Sequence, residues 1–305
     1  MIEAGSPARG SVGPAPGPSP VPSLGYWRES WRRLHANRVG LAAGLVILLL
    51  ALLALAAPLL SAHVLHQDPL SQDLRATFQG PGSAHWLGTD NLGRDLLARL
   101  LYGSRVSLSV GFLSVAIATS NGAAAGIAAG YYGGVADDVL MRMVDILLAI
   151  PGLYLLILVT AVVSVNTVTL ACLIAFIGWG PLARLVRGEV LSVRSRDFVL
   201  ATRSIGAGDL RIMLRHVLPN VLHVMIVAAS LGVGSVILLE AALDFIGLGV
   251  APPTPTWGNM LSSAQTFFTH SVWLVVLPGA MIFLSVLATN LFGNAVRDAF
   301  DPRLR

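Results

Sequence analysis

The chain has 305 residues, 55% of them hydrophobic and 12% charged, about half the charged fraction of an ordinary soluble domain. All 20 basic residues are arginine against 16 acids, a formal net charge of +4. This balance argues against a soluble globular enzyme, and one cysteine, Cys172, leaves no disulfide framework or thiolate metal site; a polytopic membrane protein is the reading that remains, with no nucleic acid expected as partner.

Residues 1–26 hold Pro7, Pro14, Pro16, Pro18, Pro20 and Pro22 among glycine, serine and alanine, a composition that cannot build a core and predicts a disordered tail. Arg28, Arg32, Arg33 and Arg38 then precede an apolar run from Val39 to Leu60. That run exceeds the h-region of a signal peptide, so an uncleaved first membrane helix is expected, with cleavage after its alanine-rich end as the alternative. Residues 27–104 therefore read as this helix plus an extracytoplasmic segment. Within it Asp90 and Arg94, and Asp95 and Arg99, stand four apart. They predict a helix over 90–102 on the outer face, flanked by Trp86 and Tyr102, either solvated or docking a substrate-binding protein. His63 and His66, three apart near the membrane surface, are read as interfacial rather than as metal ligands.

Further apolar segments near 105–130, 139–163, 167–187, 217–240 and 271–293 are each long enough to cross a hydrocarbon core of about 30 Å. Six spans follow, with residues 105–305 holding five of them. Sixteen arginines fall in the N-terminal tail, the 131–142 connection, the 184–215 segment and the C-terminal tail, leaving Arg75, Arg94, Arg99 and Arg105 on the other face. The positive-inside rule then puts both termini in the cytoplasm. Arg142 and Asp145, three apart in span three, predict an ion pair, and Cys172 a packing residue in span four.

The loop near 188–218, between spans four and five, is basic and patterned. Phe198, Ala201, Thr202 and Ile205 recur at helical spacing, Gly206 suits a left-handed stop, and Asp209 is placed to cap a second helix with Leu210, Met213, Leu214, Val217 and Leu218 on its apolar face. Pro219 fits the first turn of span five and lets the chain change direction there. Two short amphipathic helices of this kind suit either a soluble partner or a platform on lipid headgroups. Near the far end of span five Glu240 and Asp244 share a face, placed to meet a cation or a peptide ammonium in a path, or to be solvated at the helix end. Pro252, Pro253 and Pro255 make a stiff extended segment before Trp257, suited to an outer gate, a receptor contact or a rigid loop.

At the loop, the sequence resembles the EAA signature of bacterial ABC importer permeases, EAA-x3-G-x9-I-x-LP. Ala201, Gly206, Leu218 and Pro219 stand at the matching places, while Leu200, Thr202 and His216 replace the glutamate, the second alanine and the isoleucine. The ending GAGDLRIMLRHVLPN is similar to the peptide-permease branch, as are the stretches at 85–108, 130–151, 243–261 and 290–305. The resemblance spans roughly residues 30–305 and points to the second, C-type permease of dipeptide, oligopeptide and nickel importers.

It implies an all-α, six-helix type I importer fold in which the loop is a coupling helix seated on an ATP-binding subunit. Ala201, Thr202, Gly206, Ala207, Asp209, Arg211, His216, Leu218 and Pro219 would form that contact. It further implies as partners a second permease, two ATP-binding subunits, an extracytoplasmic binding protein and membrane lipid, and no cofactor on this chain. The chain has no lysine, and a P-loop uses one to reach the phosphates, so any conventional ATP site belongs to the partners. A nickel or other small-solute importer, and a proton-coupled transporter using Glu240, Asp244 and Asp145, are the competing readings.

Overall fold

The computed structural model describes residues 24–301. Of the tail predicted as disordered over 1–26, residues 1–23 lie outside the described residues, as do 302–305, whereas 24–26 are helical. The first element, α1 (Leu24–Ala36), is a helix where the arginine cluster had been read only as a flank. Asn37 separates it from α2 (Arg38–Leu60), its extended backbone letting the side chain accept a hydrogen bond from the Gly40 N–H at 2.9 Å. Leu45, Leu48, Leu52 and Leu55 of α2 are exposed large apolar residues; a helix that is apolar all round belongs in lipid. It runs on through a π turn (Ser61–Leu65).

The helix expected over 90–102 is not formed as such: α3 (Leu96–Tyr132) starts at Leu96, because the Asp95 carboxylate caps it by accepting from Ala98 N–H at 2.8 Å. The second span, expected near 105–130, thus begins before residue 105. Of the two predicted charge pairs, Asp90–Arg94 forms and Asp95–Arg99 does not. Asp90 holds Arg94 at 2.7 Å within a loop and Arg99 at 3.5 Å, and Asp95 takes His85 at 2.9 Å. Asp90, Asp95 and Arg99 are all buried, so this is an internal cluster and not a solvated helix face.

The span expected over 139–163 is broken into α4 (Gly134–Ala149) and α5 (Gly152–Thr160), bent by 76°. Pro151 has no N–H to continue the ladder and drives Ile150 to an extended φ of −96° and ψ of 125°. Next come α6 (Thr167–Arg194), α7 (Asp197–Ser204), α8 (Asp209–Ile212), a π turn (Met213–Val217) and α9 (Leu218–Phe245). Residues Asp209–Phe245 count as one helix of 37 residues, so the chain does not turn at Pro219. The π turn just before it widens the backbone ring and makes room for the proline without a break. The last elements are α10 (Trp257–Phe267), absent from the sequence reading, and α11 (Trp273–Phe300). Five helices are long and apolar enough to cross a membrane, and the bent pair makes a sixth; among the described residues the only β pairing is an isolated bridge, Thr89 with Asp95.

Helix α3 is the axis of the bundle, packed most extensively against α6 and also against α9 and α2. Gly122, Gly126 and Gly130 lie one turn apart on the α6-facing side. A Cβ at Gly126 would sit 2.6 Å from the Ala183 carbonyl oxygen and 2.8 Å from Val186 Cβ, so the backbones meet only because no side chain intervenes. Asp145 of α4 pairs across to Arg184 of α6 instead of along its own helix to Arg142. Cys172, expected to pack inside, is exposed on α6.

Candidate functional site

The arginine-rich loop forms the helix, turn, helix unit its spacing predicted, with Gly206 at φ 81° in the turn. Nothing lies within 4 Å of a Cβ placed on Gly206; glycine is required there by the backbone conformation alone. The residue at the cap of α8 is Gly208, with no side-chain cap bond. Asp209 does not cap because its carboxylate is taken by the Tyr131 hydroxyl, which donates at 2.7 Å.

The buried side of the loop matches the predicted face at Met213, Val217 and Leu218 but not at Leu210 and Leu214. Val199, Ile212 and Val217 are buried, with Phe198, Ala207, Met213 and Leu218 packed beside them. Ile212 and Val217 are five residues apart, the spacing of the π turn between them; a stripe drawn at 3.6 residues from Leu210 takes in Val217 but misses Ile212. Outward instead point Leu200, Ile205, Leu210 and Leu214, at 49%, 84%, 66% and 57% exposure. Ala201, Arg211 and Pro219 are also exposed, and Thr202 and His216 half-buried. Thr202 Oγ1 donates to the Phe198 carbonyl, and Asn220 Nδ2 to that of His216, both at 2.7 Å.

Charges tie the loop to the bundle. The Arg203 guanidinium lies 5.1 Å from the Tyr131 ring centroid, an attractive cation–π placement, and the Tyr131 hydroxyl beside it raises Arg203 further above the ordinary arginine range. Arg187 holds Asp137 of α4 through two guanidinium nitrogens, one at 2.6 Å. Tyr131, Asp137 and the pairing of Arg187 were not singled out from the sequence; their contacts span 50 to 78 residues, so no local spacing reveals them.

At the far end of α9, Glu240 and Asp244 are 0% and 2% exposed. Ser107 of α3 donates to Glu240 Oε1 at 2.9 Å, Val250 N–H to Asp244 Oδ1 at 2.6 Å, and the Thr256 hydroxyl to Asp244 Oδ2. The solvated helix-end placement is therefore corrected: both acids are sealed between α3, α9 and the loop leading to α10. That loop ends in a reciprocal cap, Thr256 accepting from Asn259 N–H at 3.0 Å while the Asn259 side chain accepts from Thr256 N–H at 3.1 Å. Trp257, which follows the proline segment, is wholly buried, and its indole N–H donates to the Leu100 carbonyl at 3.2 Å.

Between the two ends a cavity of about 400 Å³ opens among α3, α5, α6 and α9, lined by Ser114, Thr119, Leu153, Ile177, Pro181 and Ser235 among others. Neither Glu240 nor Asp244 reaches it. His63 and His66 instead approach the carbonyls of Leu59 and Ala62.

Membrane-crossing helices around an open apolar cavity, with a folded basic loop at one end, define an all-α multi-pass membrane protein of the transport class. Residues 122–305 match the family described as binding-protein-dependent transport system inner membrane component, and residues 25–81 match the N-terminal TM domain of oligopeptide transport permease C. The chain belongs to this family and is an ABC importer permease of the C type. It is 40% identical over 280 residues to a glutathione transport system permease protein of Pectobacterium atrosepticum, covering 92% of each chain. To a dipeptide transport system permease protein of Alkalihalophilus pseudofirmus it is 39% identical over 292 residues, 94% of this chain and 95% of the relative. A di/tripeptide transport system permease protein of Pseudomonas aeruginosa is 41% identical over 297 residues, 94% and 97% of the two chains.

Proposed function

We propose that this chain is one of two permease subunits of an importer that moves di- or oligopeptides inward across the bacterial cytoplasmic membrane. ATP is hydrolysed on two separate subunits, one of them seated on the α7–α8 loop, and an extracytoplasmic binding protein delivers cargo to the opposite face. The observation that carries this reading is the ridge of Leu200, Ile205, Leu210 and Leu214, exposed around the Gly206 turn among Arg203, Arg211 and Arg215. Exposed apolar ridges rimmed by charge mark partner contacts, and the ridge coincides with the segment that resembles the EAA signature. Both termini are cytoplasmic on the arginine count. The cavity beside α3 supplies this subunit's half of the path, and Glu240 and Asp244 hold the outer loop on α3 and α9 rather than touching cargo.

Co-expression with its neighbouring subunits, detergent extraction and mass measurement test the assembly. The expected particle holds this chain, a different permease and two ATPase subunits, and its vesicles take up peptide with ATP in the presence of a protonophore. A transport-competent homodimer without ATPase subunits overturns the reading.

Gly206→Val tests the turn. The open space around Gly206 removes any steric clash, so the cost is the left-handed backbone alone, about 1–2 kcal/mol. Membrane insertion is expected to stay normal while peptide uptake per ATP falls; wild-type coupling would show that the turn's conformation is immaterial.

A further inference from the structure

Tyr131 and Tyr132 are adjacent at the end of α3, yet Tyr131 is 3% exposed and Tyr132 54%. The difference is the α7–α8 turn, which closes over Tyr131. Its hydroxyl donates to Asp209 at 2.7 Å and its ring faces the Arg203 guanidinium. Arg203 and Asp209 stand on the two sides of Gly206, so one side chain of the bundle holds both limbs of the turn. Its backbone is held as well: Arg194 Nη1 donates to the carbonyls of Gly130 and Tyr131 at 2.9 and 3.3 Å.

The other attachments of the loop, through Val199, Ile212 and Val217, are apolar. Such contacts resist separation but not sliding, because they are non-directional. A hydrogen bond to a carboxylate is directional and stronger. Behind Tyr131, α3 runs unbroken past Ser114 and Thr119 of the cavity to Ser107 at the acid pair.

We propose that Tyr131 is the positioning residue that locks the α7–α8 turn to α3, so that movement of a partner on the loop reaches the cavity through that helix instead of being absorbed by rotation at Gly206 and Gly208. This rests on the reading of the loop as the ATPase seat. The lock acts on transmission and not on folding, since Asp209 is exposed and takes water when the phenol is removed.

The test is Tyr131→Phe in the reconstituted four-subunit complex, which keeps the ring over Arg203 and deletes only the hydroxyl. Assembly and melting temperature should match wild type while ATP hydrolysed per dipeptide taken up rises about tenfold, the scale of one charge-assisted hydrogen bond. Asp209→Ala should do the same, and the double variant should be no worse than either single. A wild-type ratio in Tyr131→Phe, additive effects in the double variant, or hydrolysis and uptake falling together with a lower melting temperature would each overturn the proposal. Ile205→Asp separates the two levels: if it leaves the ATPase subunits bound as in wild type, the seat itself is misassigned; if it releases them while Tyr131→Phe couples normally, only the lock is wrong.

Discussion

Replacing Gly126 by leucine will force α3 away from α6 and leave little folded permease in the membrane. The atoms that a side chain at Gly126 meets are the Ala183 carbonyl oxygen at 2.6 Å and Val186 Cβ at 2.8 Å, backbone and branch point, neither of which can swing aside. Gly122 and Gly130 are equally tight, against the Trp179 carbonyl oxygen at 2.8 Å and Val190 Cβ at 2.7 Å, so the helices cannot pivot to relieve one site without closing another. In lipid no apolar burial compensates the lost packing, because acyl chains are as apolar as leucine. A cost of roughly 3 kcal/mol or more follows. Gly188→Leu and Gly279→Leu are the controls, since nothing lies within 4 Å of a Cβ at either. Thermal unfolding in detergent should place Gly126→Leu well below wild type and both controls close to it; a wild-type melting temperature for Gly126→Leu would refute the close crossing.

Asp244→Ala is the second large effect expected. It strips the Val250 N–H and the Thr256 hydroxyl of their acceptor in a site closed to water, at roughly 1–3 kcal/mol for each orphaned group. The loop that carries Thr256 and starts α10 should loosen with it. Glu240→Gln is expected to cost about 1 kcal/mol or less, because the amide oxygen can still accept from Ser107 and the amide N–H can donate to the neighbouring Asp244 carboxylate. Uptake by the Asp244→Ala complex should fall by the same factor for a free and an N-acetylated dipeptide. A loss confined to the free amine would return these acids to the cargo path. Glu240→Gln destabilising as much as Asp244→Ala would mean that the hydrogen bonds are not what matters.

The membrane helices and their count were readable because immersion in lipid is a demand on single residues: every segment that crosses must exclude charge over its length, and α2, α3, α6, α9 and α11 all coincide with apolar runs. The left-handed turn at Gly206 was readable for a similar reason, as glycine tolerates that backbone without help from neighbours. Even the 76° break carries a one-residue signal in Pro151, passed over because the apolar run continues through it.

What only the tertiary structure decided is which faces meet. Glu240 bonds a serine 133 residues away and Tyr131 an aspartate 78 away; whether an acid near a helix end is solvated, lines a path or is sealed inside depends on the rotation of two helices against each other. Hydropathy says little about that rotation, because a helix in lipid is apolar on its outer and inner sides alike. The crossing of α3 and α6 is set instead by where backbones can touch, and the loop's inward face by a π turn of five residues, neither of which shows in a count of apolar residues at 3.6 spacing.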